Sequence, residues 1–262
     1  VPDSPLLVER VEDGVVLLTL NLPERRNAMT EALTAAWTET MAQLRDDSSV
    51  RAVVVTGAGT VFCAGGDLSW ITGDAPENVT PDRLRAKMYP FYRAWLAVRD
   101  LPVPVIGAIN GAAVGAGLCL ALACDLRYAG PKARFSAPFT TLGMHPGMAA
   151  TWLIPEAVGM PRAREILYAG RIVHAEEAVT WGLASAVADD VVAHALEVAH
   201  GIAATAPVAV RLTKAALAHP YRPFAEALEW EAVAQPITMA TDDLREGMAA
   251  AGERRPPRFT GH

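Results

Sequence analysis

Apolar positions along the chain switch between short continuous runs and helical spacings, and this switch predicts most of the elements. Val15–Leu20 (VVLLTL), residues 52–55 (AVVV) and Val105–Ile109 (VIGAI) are short apolar runs bounded by turn residues, the pattern of buried strands. Residues 127–129 and 134–136 predict further short strands. Leu33, Ala36, Trp37, Met41 and Leu44 recur at helical spacing behind Thr30, whose hydroxyl suits a helix N-cap. A second helix is predicted from about Pro81 to Arg99, stopped by Pro102 and Pro104. From about Val191 the pattern is helical to Gly252, ahead of a Pro-rich tail, residues 255–262. Repeated strand–strand–helix units predict a stacked, spiralling α/β core over residues 1–190. Helices gathered after the sheet, residues 191–262, suit assembly.

The stretch from Val103 to Asp125 organises the rest. Its strand breaks at Asn110-Gly111, and Gly115-Ala116-Gly117 opens an apolar, Ala-rich helix. Such a helix start carries unpaired N–H groups and partial positive charge. It is either a place to hold a developing oxyanion or a closely packed turn without a ligand. A second small-residue segment, residues 57–67, follows the strand at 52–55.

Composition narrows the class. With 262 residues, 52% hydrophobic and 20% charged, the chain can bury one large domain with a smaller appendage, or two domains. The net charge of −6 and the lack of a basic run argue against a nucleic-acid partner. No apolar run has membrane-spanning length without interruption, and the first residues lack a signal-peptide pattern. Cys63, Cys119 and Cys124 show no metal-ligand spacing. They fit a reducing cytoplasm, with no metal expected.

Several segments in order carry a resemblance. They are residues 21–28 (NLPERRNA), Thr56-Gly-Ala-Gly with residues 62–68 (FCAGGDL), and Pro104-Val-Ile with Asn110-Gly, Gly115-Ala-Gly and Ala123-Cys-Asp125. Gly143 with Pro146-Gly147, residues 167–183, and Pro207 with Lys214 continue the pattern across nearly the whole chain. The chain resembles the crotonase superfamily, the enoyl-CoA hydratase/isomerase family. The resemblance implies a crotonase-like spiral of β-β-α units with a C-terminal helical region that forms a homotrimer or a dimer of trimers. It implies an acyl-CoA substrate, with coenzyme A as part of that substrate and no separate cofactor. The family stabilises a thioester enolate on two backbone N–H groups, which by motif position are those of Gly66 and Ala116. Arg25, Arg26, Ala28, Ala64, Gly65, Asp67, Leu68, Ala112, Gly115, Phe139 and Thr141 are the implied substrate and coenzyme contacts. Asp67 also suits a plain helix N-cap. Asp125, closing an apolar helix, reads as structural. Family lysines that meet coenzyme phosphates are replaced by Thr60 and Ser69, so that contact falls to Arg25, Arg26 or a tail arginine.

The departures bear on mechanism. The two hydratase glutamates correspond here to Cys119 and Phe139, neither of which can perform that proton transfer. The acid of the related isomerases is missing as well, and the nucleophilic Asp of the aroyl-CoA dehalogenases falls at Gly147. What remains near the reacting centre is Thr140, Thr141 and His145. Histidine ordinarily titrates near neutrality, so His145 is either the proton-transfer group or a loop residue bonded to backbone. Tyr89 and Tyr92 either reach the pocket or pack as core. Trp70, Phe139, Met144, Met148 and Trp152 are candidate acyl-pocket walls. Two classes follow: an enzyme on acyl-CoA thioesters with altered proton-transfer groups, or a non-catalytic acyl-CoA-binding protein.

Overall fold

A computed structural model describes residues 4–67, 80–218 and 222–262. Residues 52–57 are buried without exception, because helices cover both faces of their sheet; that is why the run reads as continuously apolar. This sheet has six strands. Their order is β1 (Leu6–Arg10), β2 (Val15–Leu20), β3 (Ala52–Gly57), β5 (Val105–Ile109), β7 (Leu126–Ala129) and β10 (Ala186–Val187). The β1–β2 pair is antiparallel and the remaining pairs are parallel. A second sheet holds β4 (Val61–Cys63), β6 (Ala112–Val114), β8 (Arg134–Ser136) and β9 (Val173–His174). The chain lays one strand in each sheet per turn of a spiral: β3 then β4, β5 then β6, β7 then β8. This is the expected β-β-α repeat, and the fold class is α/β with C-terminal helices.

Helix α1 (Glu31–Asp46) starts where Thr30 accepts a hydrogen bond from Leu33 N at 3.2 Å. Its Trp37 stacks on Trp95 of α2 (Pro81–Leu96) with ring centroids 4.9 Å apart, fixing α2 over the core. Helix α3 (Ala116–Ala123) follows β6 and is buried along its whole length. Helices α4 (Ala150–Ala169) and α5 (Ala175–Trp181) complete the spiral.

The predicted helicity from Val191 divides into α6 (Val191–Ala203), α7 (Pro207–Leu217), α8 (Phe224–Met239) and α9 (Asp242–Glu253). Val191, Ala195 and Ala199 of α6 pack with Val15, Ala52, Val54 and Ile106 on the outer face of the large sheet. Helix α6 therefore covers this face of the sheet. Lys214 Nζ ties α7 to the central strand, donating to Asp125 Oδ2 (2.7 Å) and Val103 O (2.8 Å). Asp125 Oδ2 also accepts from Val105 N at 2.7 Å, so this carboxylate is a structural clasp. The tail folds back on α9, where buried Asp243 accepts from the N–H groups of Thr260 and Gly261. Among the described residues no single helix is long and apolar enough to cross a membrane.

Candidate active site

Two small-residue turns meet at the junction of the sheets. Ala64 N donates to Arg26 O (3.0 Å) and Met29 N to Gly65 O (2.8 Å), which lashes the first turn to the loop before α1. Gly65 has φ +100°, and a Cβ there would stand 2.7 Å from Val114 O and 3.3 Å from Ala116 N. Only glycine allows this approach of the 64–66 turn to the start of α3. Neither Gly66 N–H nor Ala116 N–H donates to a backbone acceptor among the described residues. Ala116 is the first residue of α3, so its N–H is an orphan by position.

Both groups border a cavity of about 580 Å³. Its inner wall is apolar and aromatic: Met88, Phe91 and Tyr92 from α2, Val114, Pro138, Phe139, Met144 and Met148. Glu24, Arg25, Arg26 and Asp67 stand at its polar side, where the Arg25 guanidinium pairs with Asp67 Oδ2 at 2.9 Å. A larger hollow of about 750 Å³ lies between the end of α3 and helices α6 and α7. It contains neither free N–H group, so chemistry rather than size selects the smaller cavity.

Cys119 lies one helical turn beyond Ala116, fully buried, with Sγ 3.7 Å from Gly147 O. Burial pushes its thiol up to about 12, so it is a neutral, small side chain. Phe139 lays its ring beside Gly115. Tyr92 is half-buried, and burial raises its phenol above the ordinary tyrosine value, with Cys119 adding in the same direction. His145 lies at the exposed edge, its Nδ1 2.7 Å from Pro146 O. A carbonyl oxygen only accepts, so Nδ1 is the donor in this contact, and Nε2 takes no part in it.

The cavity gathers Arg25, Arg26, Ala28, Ala64, Gly65, Gly66, Asp67, Gly115, Ala116, Phe139 and His145 from the sequence reading. Two expected contacts stand elsewhere. Ala112 pairs in β6 with Val61 and Arg134 and lines a separate hollow with Lys132 and His174, because it lies at the far end of the strand from Val114, Gly115 and the cavity. Thr141 turns its hydroxyl to Pro138 O (2.8 Å), and Thr140 donates to Leu167 O (2.9 Å), so both brace the loop. Trp152 is likewise absent from the wall; it lies exposed under the Arg99 guanidinium. Tyr89 is also exposed, whereas Tyr92 reaches the cavity. Leu68 and Trp70 fall outside the described residues. Met88 and Phe91 were not expected in the wall, because their spacing on α2 equally fits ordinary core. Among the described residues no three His, Cys, Asp or Glu side chains gather where they could hold a metal ion.

A family model described as Enoyl-CoA hydratase/isomerase matches residues 10–262. A Mycobacterium tuberculosis protein named "Probable enoyl-CoA hydratase EchA14" is 46% identical over 214 residues, 82% of this chain and 81% of the relative. The 1,2-epoxyphenylacetyl-CoA isomerase of Escherichia coli is 36% identical over 259 residues, 97% of this chain and 98% of the relative. The crystal structure of an enoyl-CoA hydratase from Bacillus anthracis superposes with a TM-score of 0.92 at 34% identity. That match covers 98% of this chain and 100% of the other.

Proposed function

The chain belongs to the enoyl-CoA hydratase/isomerase family, and from that premise we propose an enzyme that holds an acyl-CoA thioester enolate on the N–H groups of Gly66 and Ala116. The observation that carries this reading is that two N–H groups without backbone acceptors open into one apolar cavity. A donor so placed contributes about 3–4 kcal/mol to a developing oxyanion in enzymes where one has been removed. Arg25 and Arg26 stand at the polar side of the cavity, suited to the coenzyme phosphates. The aromatic and thioether wall favours an apolar or aromatic acyl group, and the Escherichia coli relative is by name an isomerase of such a thioester.

Proton transfer falls to His145 through Nε2, since residues 119 and 139 carry no carboxylate. His145→Ala should lower kcat by about 10²–10⁴ while acyl-CoA affinity stays nearly intact. Crotonyl-CoA hydration should be at least about a thousandfold slower than in a glutamate-bearing relative. Calorimetry and turnover across a panel of acyl-CoA thioesters test the reading together. Absence of binding to every thioester removes it; binding without turnover or α-proton exchange turns the chain into a carrier; robust crotonyl-CoA hydration overturns the reading of positions 119 and 139.

A further inference from the structure

Tyr92 is a phenol in a wall that is otherwise made of hydrocarbon, ring and thioether groups. It comes from the C-terminal half of α2 and ends against Gly147, two residues along the loop from His145. The fit is specific. A Cβ at residue 147 would collide with Tyr92 Oη and lie 3.0 Å from its Cζ, so glycine there leaves the space the hydroxyl occupies. Gly147 has no positive φ, so backbone conformation does not demand glycine; the phenol does. The same Gly147 carbonyl is the one that Cys119 Sγ approaches, which places the hydroxyl beside the turn of α3 that follows Ala116. Among the described residues no side-chain hydrogen bond engages Tyr92, and the residue lines the cavity.

We propose that Tyr92 is the second proton-transfer residue of this site, donating to carbon while His145 removes a proton; this rests on the acyl-CoA reading above. The reaction class it serves is movement of a double bond from the β,γ to the α,β position of an enoyl thioester. His145 Nε2 takes a proton from the α-carbon, and the C–H electron pair passes into a dienolate whose oxygen lies on Gly66 and Ala116. The γ-carbon then forms a C–H bond with the proton of Tyr92 Oη, and the π electrons settle between the α- and β-carbons. The imidazolium returns its proton to the phenolate through water, so no proton or electron is gained or lost overall. A phenol is protonated at neutral pH, as an acid must be, and burial moves Tyr92 further in that direction.

The probes are 3-hexenoyl-CoA, for conversion to the 2-enoyl thioester, and butyryl-CoA in D₂O, for exchange of its α-protons. Tyr92→Phe should lower isomerisation by about a hundredfold or more, while α-exchange falls by less than about tenfold. His145→Ala should lower both. Gly147→Ala, which displaces the hydroxyl, should impair isomerisation alone and add nothing in the Tyr92→Phe background. Tyr89→Phe, outside the cavity, should change neither. Isomerisation by Tyr92→Phe at the parent rate overturns the role of Tyr92, as does a parent enzyme that exchanges α-protons but never moves the double bond. A parent that neither binds nor exchanges either thioester removes the acyl-CoA reading itself.

Discussion

Cys119 is a buried thiol one turn along the helix from Ala116. It occupies the turn after Ala116, close to the cavity, yet burial makes it inert toward proton transfer. Cys63 and Cys124 are in the same condition, each thiol pushed up from 9.0 to about 12 by burial. A group whose folded pKa is raised supports the fold fully below its unfolded value and loses that support as pH climbs through the folded value. Melting temperature should therefore fall between about pH 9 and about pH 12, and Cys119→Ala should flatten the fall. Iodoacetamide near pH 8 should leave all three thiols unlabelled in the native protein and label them on unfolding, as read by mass spectrometry. Labelling of the folded protein at the rate of a free thiol would contradict their burial. Tyr92 differs: it is half-buried and lines the cavity, which is what the proposed proton transfer requires.

At the scale of elements, the site depends on loops pinned by groups far from the chemistry. Arg26 and Asn27 both have φ +54°, a left-handed conformation that asparagine tolerates better than most residues. Asn27 is wholly buried; its Oδ1 accepts from Leu22 N (2.9 Å) and its Nδ2 donates to Ala58 O (3.0 Å) and Val61 O (2.7 Å). It thereby joins the loop carrying Arg25, Arg26 and Ala28 to the β3–β4 turn. Asn27→Ala leaves three half-buried backbone groups without this partner and should cost about 1–3 kcal/mol, with a weaker grip on coenzyme A thioesters. Thermal melting and calorimetry read both; an unchanged melting temperature would show that water replaces the amide. The strands β2 and β5 are legible in the sequence at their full length because heavy burial writes itself as a mostly apolar run, broken in β2 only by half-buried Thr19. β4 and β6 are three residues each, too short for a period to show, and pair only because the spiral brings them into register.

At the scale of the molecule, the C-terminal helices leave apolar side chains in solvent: Leu217 (72%), Phe224 (83%), Val233 (64%) and Met248 (70%), with Ile237 and Met239 nearby. An apolar surface this extensive suits a protein interface. The expected assembly is a homotrimer, or a dimer of trimers, formed through this face. Light scattering at micromolar concentration should return three or six times the chain mass, and Phe224→Glu with Val233→Glu should shift it downward. A single-chain mass for the parent would refute this assembly.

The sequence by itself determined the α/β class, the order of the main strands and helices, and the two glycine turns, because burial on both faces, helical spacing and close backbone approach each constrain residue type locally. It also placed Cys119 and Phe139, side chains without a carboxylate, at the two positions where the resemblance expects glutamates. Only the tertiary structure decided which of several candidate side chains share the cavity. Tyr89 and Tyr92 lie three residues apart on one helix, and the direction each takes depends on what α2 packs against. Ala112 and Thr141 looked equally placed with Gly115 and Phe139, yet Ala112 sits at the far end of β6 and loop bonding turns Thr141 away. Tyr92 meets Gly147 across 55 residues of chain, a contact set by packing between elements and therefore invisible to any local pattern.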